Sequence, residues 1–200
     1  MANKETEWYK FANSYANMVI SSVEFYNWCD DKQKNKIKGI YFSLVYNLKH
    51  SIELYLKILY KHFHWDYTKQ IKKHNISDLF QEVEKLYNSK KIDIDNYFNS
   101  LESDDVLESF AIEQWKDLLK TIKEVEKIVI KYFELKFIGN ANDDTDNTVF
   151  KYPEVLDYGN VYQHISDDKI DGIAKDMWEI KWLFNGILLS LMAFEEKSIK

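Results

Sequence analysis

The residues best able to do chemistry form a polar stripe in the first third of the chain. A helix turning 100° per residue would align five side chains: Asn47, His50, Leu54, Lys57 and Lys61. Glu53 lies at the edge of this stripe. A histidine that titrates near neutrality can transfer protons, and a lysine can stabilise charge developing on a phosphate. The same side chains could instead form a satisfied polar network, and the pattern leaves both interpretations open.

Two further patterns resemble metal sites, and neither completes one. His62 and His64 form an H-x-H pair, but residues two apart on a helix point about 200° apart, and ligation needs three or four converging groups. The acidic segment 140–147 spaces oxygen ligands as a calcium loop does. However, Asn147 stands where that loop needs glycine, and Pro153 stands where it needs glutamate. We therefore expect surface histidines, a solvated acidic loop and no metal site.

Cofactor and targeting signals are missing as well. The chain has no phosphate-binding glycine loop, dinucleotide fingerprint, nucleophile elbow or C-x-x-C pair, so we expect no cofactor. Its single cysteine, Cys29, cannot form an internal disulfide, which is typical of a reducing compartment. No apolar stretch approaches the ~18 residues that span a bilayer. These features predict a cytoplasmic chain with no membrane partner.

The composition favours long helices and disfavours nucleic-acid readout. Of 200 residues, 46% are hydrophobic, one is proline and five are glycine, which are too few turn residues for an all-β fold. The net charge of −6 disfavours non-specific binding to nucleic acid. All 27 basic residues are lysine. Because arginine is the main reader of guanine, we expect no DNA sequence readout.

Apolar periodicity predicts about five helices, which makes the fold class all-α. The predicted ranges are 5–28, 34–62, 77–88, 103–138 and 167–196. In the first helix, large side chains at spacings of three and four predict an inward face that includes Phe11 and Met18. Residues 89–103 are predicted to be irregular, and residues 140–165 to form an irregular segment or a small hairpin. The last helix is apolar nearly all round over 182–194, as in a bundle centre or a dimer surface.

Four segments of the chain carry a family resemblance. They are NLKHSIELYLKILY at 47–60, KKHNISDLF at 72–80, FANSYANMV at 11–19 and FKYP at 150–153. Together they resemble the helical family known as HEPN (higher eukaryotes and prokaryotes nucleotide-binding). The resemblance implies a single domain over residues 1–200, an antiparallel HEPN-like bundle that commonly forms a homodimer. It also implies a place in bacterial toxin–antitoxin, abortive-infection or other antiviral systems, where many members are metal-independent ribonucleases.

The chain departs from the catalytic pattern that the resemblance implies. That pattern is an arginine followed four to six residues later by a histidine, which together hold the phosphate and activate the ribose 2′-hydroxyl at a dimer cleft. Here Lys57–His62 and Lys69–His74 keep the four-residue gap, but lysine lacks the planar fork of arginine. A five-residue step turns a helix by about 140°, so Lys57 and His62 converge only if the helix ends near Tyr60. His74 matches the family's structural loop histidine.

The leading hypothesis is a HEPN-like protein with a degenerate nuclease site that acts by binding, as a homodimer or with an antitoxin-like protein. Its context would be bacterial defence, toxin–antitoxin function or stress. The predicted binding residues are Asn47, His50, Glu53, Lys57 and His74. One alternative is a metal-independent ribonuclease that cleaves RNA with Lys57 and His62 as catalytic residues. Another is a small-ligand or nucleotide sensor built beside the stripe.

Overall fold

The computed structural model describes residues 2–64, 74–100, 113, 116–132 and 165–198. Six helices lie in these ranges and are numbered α1 to α6 in chain order: Ala2–Trp28, Asp31–Ile37, Ile40–His64, Ile76–Ser100, Leu118–Ile130 and Asp167–Ser198. No strand occurs within the described ranges. The predicted all-α class is confirmed.

Contacts at both ends of α1 give its direction relative to α3 and α6. On α3, Asn47 contacts Met18 of α1, and Ser51, one turn further along α3, donates to the Ala12 carbonyl of α1. On α6, Asp167 near the start of the helix accepts from Tyr26 of α1, and Lys181 further along donates to Asn17 of α1. Residue numbers rise on one helix as they fall on the other. The bundle is therefore antiparallel around α1, and α3 and α6 run in the same direction.

The buried face of α1 matches the predicted one only in part: Val19 and Tyr26, which also belong to the predicted face, are buried. Its buried residues are 0–7% exposed and small or medium in size apart from one tyrosine: Ala12, Ala16, Val19, Ile20, Val23 and Tyr26. Phe11 and Met18, predicted to point inward, are 60% and 50% exposed. The distance between packed helices depends on the side chains at the contact. Because α1 packs against two long helices, its small side chains face inward and its larger ones lie outside.

A turn at Lys38 and Gly39 divides the predicted helix 34–62 into α2 and α3. Helix α2 begins with a capping box, because Asp30 Oδ1 accepts the Gln33 amide at 2.8 Å and Gln33 Oε1 accepts the Asp30 amide at 3.0 Å. At the other end, Gly39 lowers helix propensity. The apolar periodicity continues across this turn, which explains why it predicted a single helix.

The later helices depart from their predicted ends. Helix α4 extends to Ser100 and includes residues predicted to be irregular, because no glycine or proline interrupts it. Helix α5 ends at Ile130, and Lys131 and Tyr132 form a turn where the predicted helix continues to 138. The predicted hairpin over 140–165 lies outside the described residues, apart from Ile165.

Helix α6 begins as predicted, with the Ser166 Oγ 3.4 Å from the Lys169 amide. One side of the helix enters the core, where Ile180, Phe184 and Leu188 are buried, whereas Trp182 is exposed. No helix in the described ranges combines the length and apolar character needed to cross a membrane.

A polar network with one stacked ring joins α1, α3 and α6. The Tyr55 hydroxyl donates to Asn13 Oδ1 at 2.8 Å, and the Tyr9 hydroxyl donates to Asn185 Oδ1 at 2.6 Å. The Tyr55 ring stacks on Phe184 with a centroid separation of 4.6 Å. Because their hydroxyl groups are hydrogen-bonded, these tyrosines can pack their rings against the core without leaving an unpaired hydroxyl.

Candidate functional site

Glu53 lies at the centre of a cluster of four titratable side chains. It is 6% exposed on the buried side of α3. Its Oε1 is 2.6 Å from Lys57 Nζ and 2.9 Å from His74 Nδ1, and its Oε2 is 3.6 Å from His50 Nδ1. The structure thus brings together four of the five predicted binding residues, and we call them the Glu53 cluster.

The cluster holds Glu53 in its ionised form. Burial alone would raise the pKa of this carboxyl, because the interior solvates charge poorly. The contacts with His50 and Lys57, the positive charge of Lys57 and the hydrogen bond with His74 outweigh burial and lower the pKa of Glu53 from 4.5 to about 2. At neutral pH the buried lysine therefore faces a full negative charge.

The Lys57 ammonium is turned inward. Lys57 is 7% exposed and follows Glu53 by one helical turn, in the favourable acid-to-base order. A phosphate arriving from solvent would have to compete with Glu53 for this ammonium and would lose its own hydration on entering the site. Lys57 therefore serves as the counter-ion of Glu53 and not as an open cation.

The predicted catalytic pair of Lys57 and His62 gains no support from the backbone. Helix α3 continues to His64, so it does not end near Tyr60 as convergence would require. On a continuous helix, positions five residues apart are separated by about 140° around the axis. The His62 side chain and the whole of Lys69 lie outside the described part of the chain.

Two tyrosines hold the ring of His50. Tyr15 of α1 meets it edge-on with ring centroids 4.5 Å apart, and Tyr46 lies nearly parallel to it at 5.8 Å. Both are favourable aromatic geometries. They fix the histidine ring from two sides, so its distance to Glu53 is set by α1 as well as by α3.

His74 is the solvent-facing member of the cluster, with a side chain that is 71% exposed. It precedes Asn75, whose Oδ1 accepts the Asp78 amide at 3.0 Å and caps α4. Because an ionised carboxylate can only accept, His74 Nδ1 carries the hydrogen shared with Glu53, and Nε2 of the neutral ring is an acceptor. His74 therefore connects the buried carboxylate to solvent.

The remaining stripe residues belong to other contacts. The Asn47 amide lies 3.5 Å from Met18 Sδ on α1, and Lys61 Nζ lies 4.0 Å from the centroid of the Trp8 ring. Leu54 packs against the hydrophobic core. Asn47, predicted as a binding residue, thus contacts Met18 of α1 and is not one of the residues grouped around Glu53.

Sequence reasoning missed a second polar cluster, where α5 ends against α6. Asp176 is buried, accepts the Tyr132 hydroxyl and pairs with Lys131. Burial and the hydrogen bond to Asp176 raise the pKa of Tyr132 well above its usual value. A signal was present in the sequence, because Asp176 lies between Ile173 and Ile180 at helical spacing, and an acid on an apolar stripe requires a partner.

Within the described residues, no group of three histidine, cysteine, aspartate or glutamate side chains is arranged to hold a metal ion. The acidic segment 140–147 lies outside them.

Comparisons with known proteins found no match: no family model, curated protein or solved structure matches the chain. The family resemblance of its segments therefore stays a prediction.

Proposed function

We propose that the chain is a HEPN-like helical protein that acts by binding, as a homodimer or with a protein partner, in bacterial defence, toxin–antitoxin function or stress. The observation that carries this proposal is the buried pairing of Lys57 with Glu53 at 2.6 Å. Phosphate chemistry needs a cation that meets the phosphate as charge develops. Here the lysine that would replace the family's arginine is already neutralised, which supports a degenerate nuclease site.

The exposed His74 is the part of the cluster that a partner would meet. Its Nδ1 is engaged by Glu53 at 2.9 Å, while the ring is largely in solvent. The contact with Glu53 through Nδ1 leaves Nε2 for a second hydrogen bond. A polar group on a protein partner could meet the ring there from solvent.

The test combines an RNA-cleavage assay with a growth assay. Highly purified chain is incubated with fluorescently labelled single-stranded RNA in chelator, and the chain is overexpressed in bacteria. We expect intact RNA and normal growth. RNA cleavage that co-elutes with the chain and disappears in His62→Ala would overturn the proposal, because it would show a working catalytic histidine.

A metal-independent ribonuclease is the second candidate, and the Glu53–His74 contact is the observation that favours it. A carboxylate that holds one ring nitrogen of a histidine orients the ring, so that the other nitrogen can act as a general base. This candidate predicts RNA cleavage that His74→Ala abolishes and His62→Ala retains. The two variants therefore separate it from the family's own catalytic pattern.

The small-ligand or nucleotide sensor has less support. Glu53 and Lys57 are 6% and 7% exposed and fill the space beside them with their own contact. A ligand site at the stripe would require these charges to separate, at the cost of an unpaired buried ion.

A further inference from the structure

Helix α1 carries two rows of exposed side chains that each repeat every seven residues. One row is apolar, with exposures of 60%, 50% and 63%: Phe11, Met18 and Phe25. The other contains two exposed serines and a tryptophan that is 92% exposed: Ser14, Ser21 and Trp28. The spacing between the rows is three and four residues, which is the pattern of a coiled-coil seam. We call these six residues the α1 seam.

A third row flanks the seam on the side of α6. It consists of Lys10, Asn17 and Glu24, which are exposed and again seven residues apart. The Lys181 ammonium of α6 donates to Asn17 Oδ1 at 2.7 Å and lies 5.3 Å from the centroid of the Trp178 ring. This contact places the exposed ring of Trp178 beside the flanking row.

We propose that the α1 seam is the docking surface for a second copy of this chain, with the two α1 helices antiparallel and a two-fold axis near residue 16. In this register, Phe11 lies opposite Ser21 of the second copy, and Met18 lies opposite Ser14 of the second copy. These two central layers each combine one large side chain with one small one. Alternation of this kind lets facing layers interdigitate without gaps.

Charge complementarity favours the same arrangement. In an antiparallel helix pair, a flanking row meets the same row of the other helix. Lys10 then meets Glu24 of the second copy, this contact occurs twice, and Asn17 meets its own counterpart at the axis. A parallel pair would instead place Phe11 against Phe11 and give Lys10 no acidic partner.

The exposed aromatic area is large enough to contribute to such a contact. A standard interface buries about 800 Å² per partner, and an aromatic side chain supplies about 150–250 Å² when fully covered. Five aromatic residues on α1 and α6 are more than half exposed: Phe11, Phe25, Trp28, Trp178 and Trp182. The inference rests on the proposed binding function and names one surface through which it operates.

The first experiment exchanges the flanking charges. Lys10→Glu and Glu24→Lys are made singly and together, and self-association is measured by sedimentation velocity over a concentration series. Each single change places two like-charged contacts across the axis, so we expect the dimer dissociation constant to rise about tenfold. The double variant restores opposite charges and should return to the wild-type value. A dimer that none of the three variants alters would overturn this register.

A matched pair of apolar positions tests the surface itself. Phe11→Lys lies in the seam, opposite Ser21 of the second copy, whereas Ile92→Lys changes a residue of α4 that is 74% exposed. We expect the first change to abolish dimerisation and the second to leave it intact. Both positions are exposed, so circular dichroism should show the wild-type fold in each variant. Dimerisation that survives Phe11→Lys would overturn the seam.

Crosslinking tests the antiparallel direction. In a Cys29→Ser background, one chain carries Lys10→Cys and another carries Glu24→Cys, and a short bis-maleimide is added to each chain and to their mixture. We expect crosslinks only in the mixture, because the two Lys10 positions of a pair lie about 20 Å apart along the axis at 1.5 Å per residue. Efficient crosslinking of either chain alone would overturn the arrangement.

Failure of the α1 seam and failure of the proposed function give different results. A chain that stays monomeric at about 100 μM overturns the seam and leaves binding to a different protein partner to carry the proposed function. A dimer that behaves as expected but cleaves RNA supports the seam and overturns the proposed function.

Discussion

Glu53→Gln removes the negative charge that the buried Lys57 ammonium faces at 2.6 Å. Glutamine keeps the length of the side chain and can still accept a hydrogen bond, so the substitution isolates the charge. Removing one partner of a buried ion pair typically costs ~3–5 kcal/mol, because the other ion remains buried without compensation. We therefore expect a loss of folding stability and no change of fold.

The lowered pKa of Glu53 gives a second value for the stability that its charge contributes. A pKa lowered from 4.5 to about 2 means that folding favours the ionised carboxyl by about 3 kcal/mol, at ~1.4 kcal/mol for each tenfold change in proton affinity. This figure agrees with the lower end of the cost of breaking a buried pair. We expect Glu53→Gln to lower the free energy of unfolding by about 3 kcal/mol at pH 7.

The stability that Glu53 contributes depends on pH in a direction set by its lowered pKa. A carboxyl whose pKa is lower in the folded state stabilises the fold above its unfolded pKa, and this contribution is lost as the pH falls through the folded pKa. For Glu53 the window runs from pH 4.5 down to about 2. The difference in unfolding free energy between the wild type and Glu53→Gln should be full above pH 5 and shrink towards pH 2.

Urea denaturation followed by circular dichroism at pH 7, 5, 4 and 3 measures this difference. Glu82→Gln is the matched control, because Glu82 forms a surface pair with Lys85 at 3.4 Å and should lose less than ~1 kcal/mol. Adding Lys57→Met to Glu53→Gln should recover part of the loss, since no unpaired ion is then buried. A loss below ~1 kcal/mol that is the same at every pH would refute the description of Glu53 as a buried carboxylate.

Three further substitutions test the packing around α1, α5 and α6. Tyr55→Phe removes the hydroxyl that donates to Asn13 at 2.8 Å and should lower the free energy of unfolding by ~1 kcal/mol. Tyr132→Phe removes a hydrogen bond to the carboxylate of Asp176 and should cost ~2 kcal/mol, because hydrogen bonds to charged groups are stronger. Gly172→Ala adds a methyl group with nothing within 4 Å and should stabilise α6 by ~0.5–1 kcal/mol.

Chemical denaturation measures the free energy of unfolding of all three variants, and each prediction has a result that would contradict it. An unchanged Tyr55→Phe variant would show that water replaces the hydroxyl as the partner of Asn13. A more stable Tyr132→Phe variant would contradict a stabilising hydrogen bond between Tyr132 and the buried Asp176. A destabilised Gly172→Ala variant would place a neighbouring group closer to α6 than the structure has it.

The polar stripe could be predicted because helical geometry alone defines it. His50, Glu53 and Lys57 follow from 100° per residue once the segment is recognised as a helix. The contact of His74 with Glu53 could not be predicted in this way, because it depends on the path of the chain between α3 and α4. Asn47 shares the stripe but lies nearly two turns from Glu53, so α1 packing and not the carboxylate determines its contact.

The fold class could be predicted from the scarcity of glycine and proline, whereas helix rotation and boundaries could not. For α1, large apolar residues such as Phe11 define one apolar face and the small residues Ala12 and Ala16 help to define another. Only the neighbouring helices decide which of these faces is buried. Likewise, apolar periodicity continues across Lys38 and Gly39 although the backbone turns there, since apolar spacing carries no information about a local turn of the backbone.

Because α1 is packed by both α3 and α6, synthesis exposes its core face in two stages. Helix α3 follows α1 closely, but Tyr26 and Tyr9 bond to Asp167 and Asn185, on a helix made much later. At ~5–20 residues per second, the intervening segment 29–166 takes roughly 10–30 s to translate. During that interval the side of α1 that bonds to α6 stays uncovered on the nascent chain, so this part of the bundle is completed last.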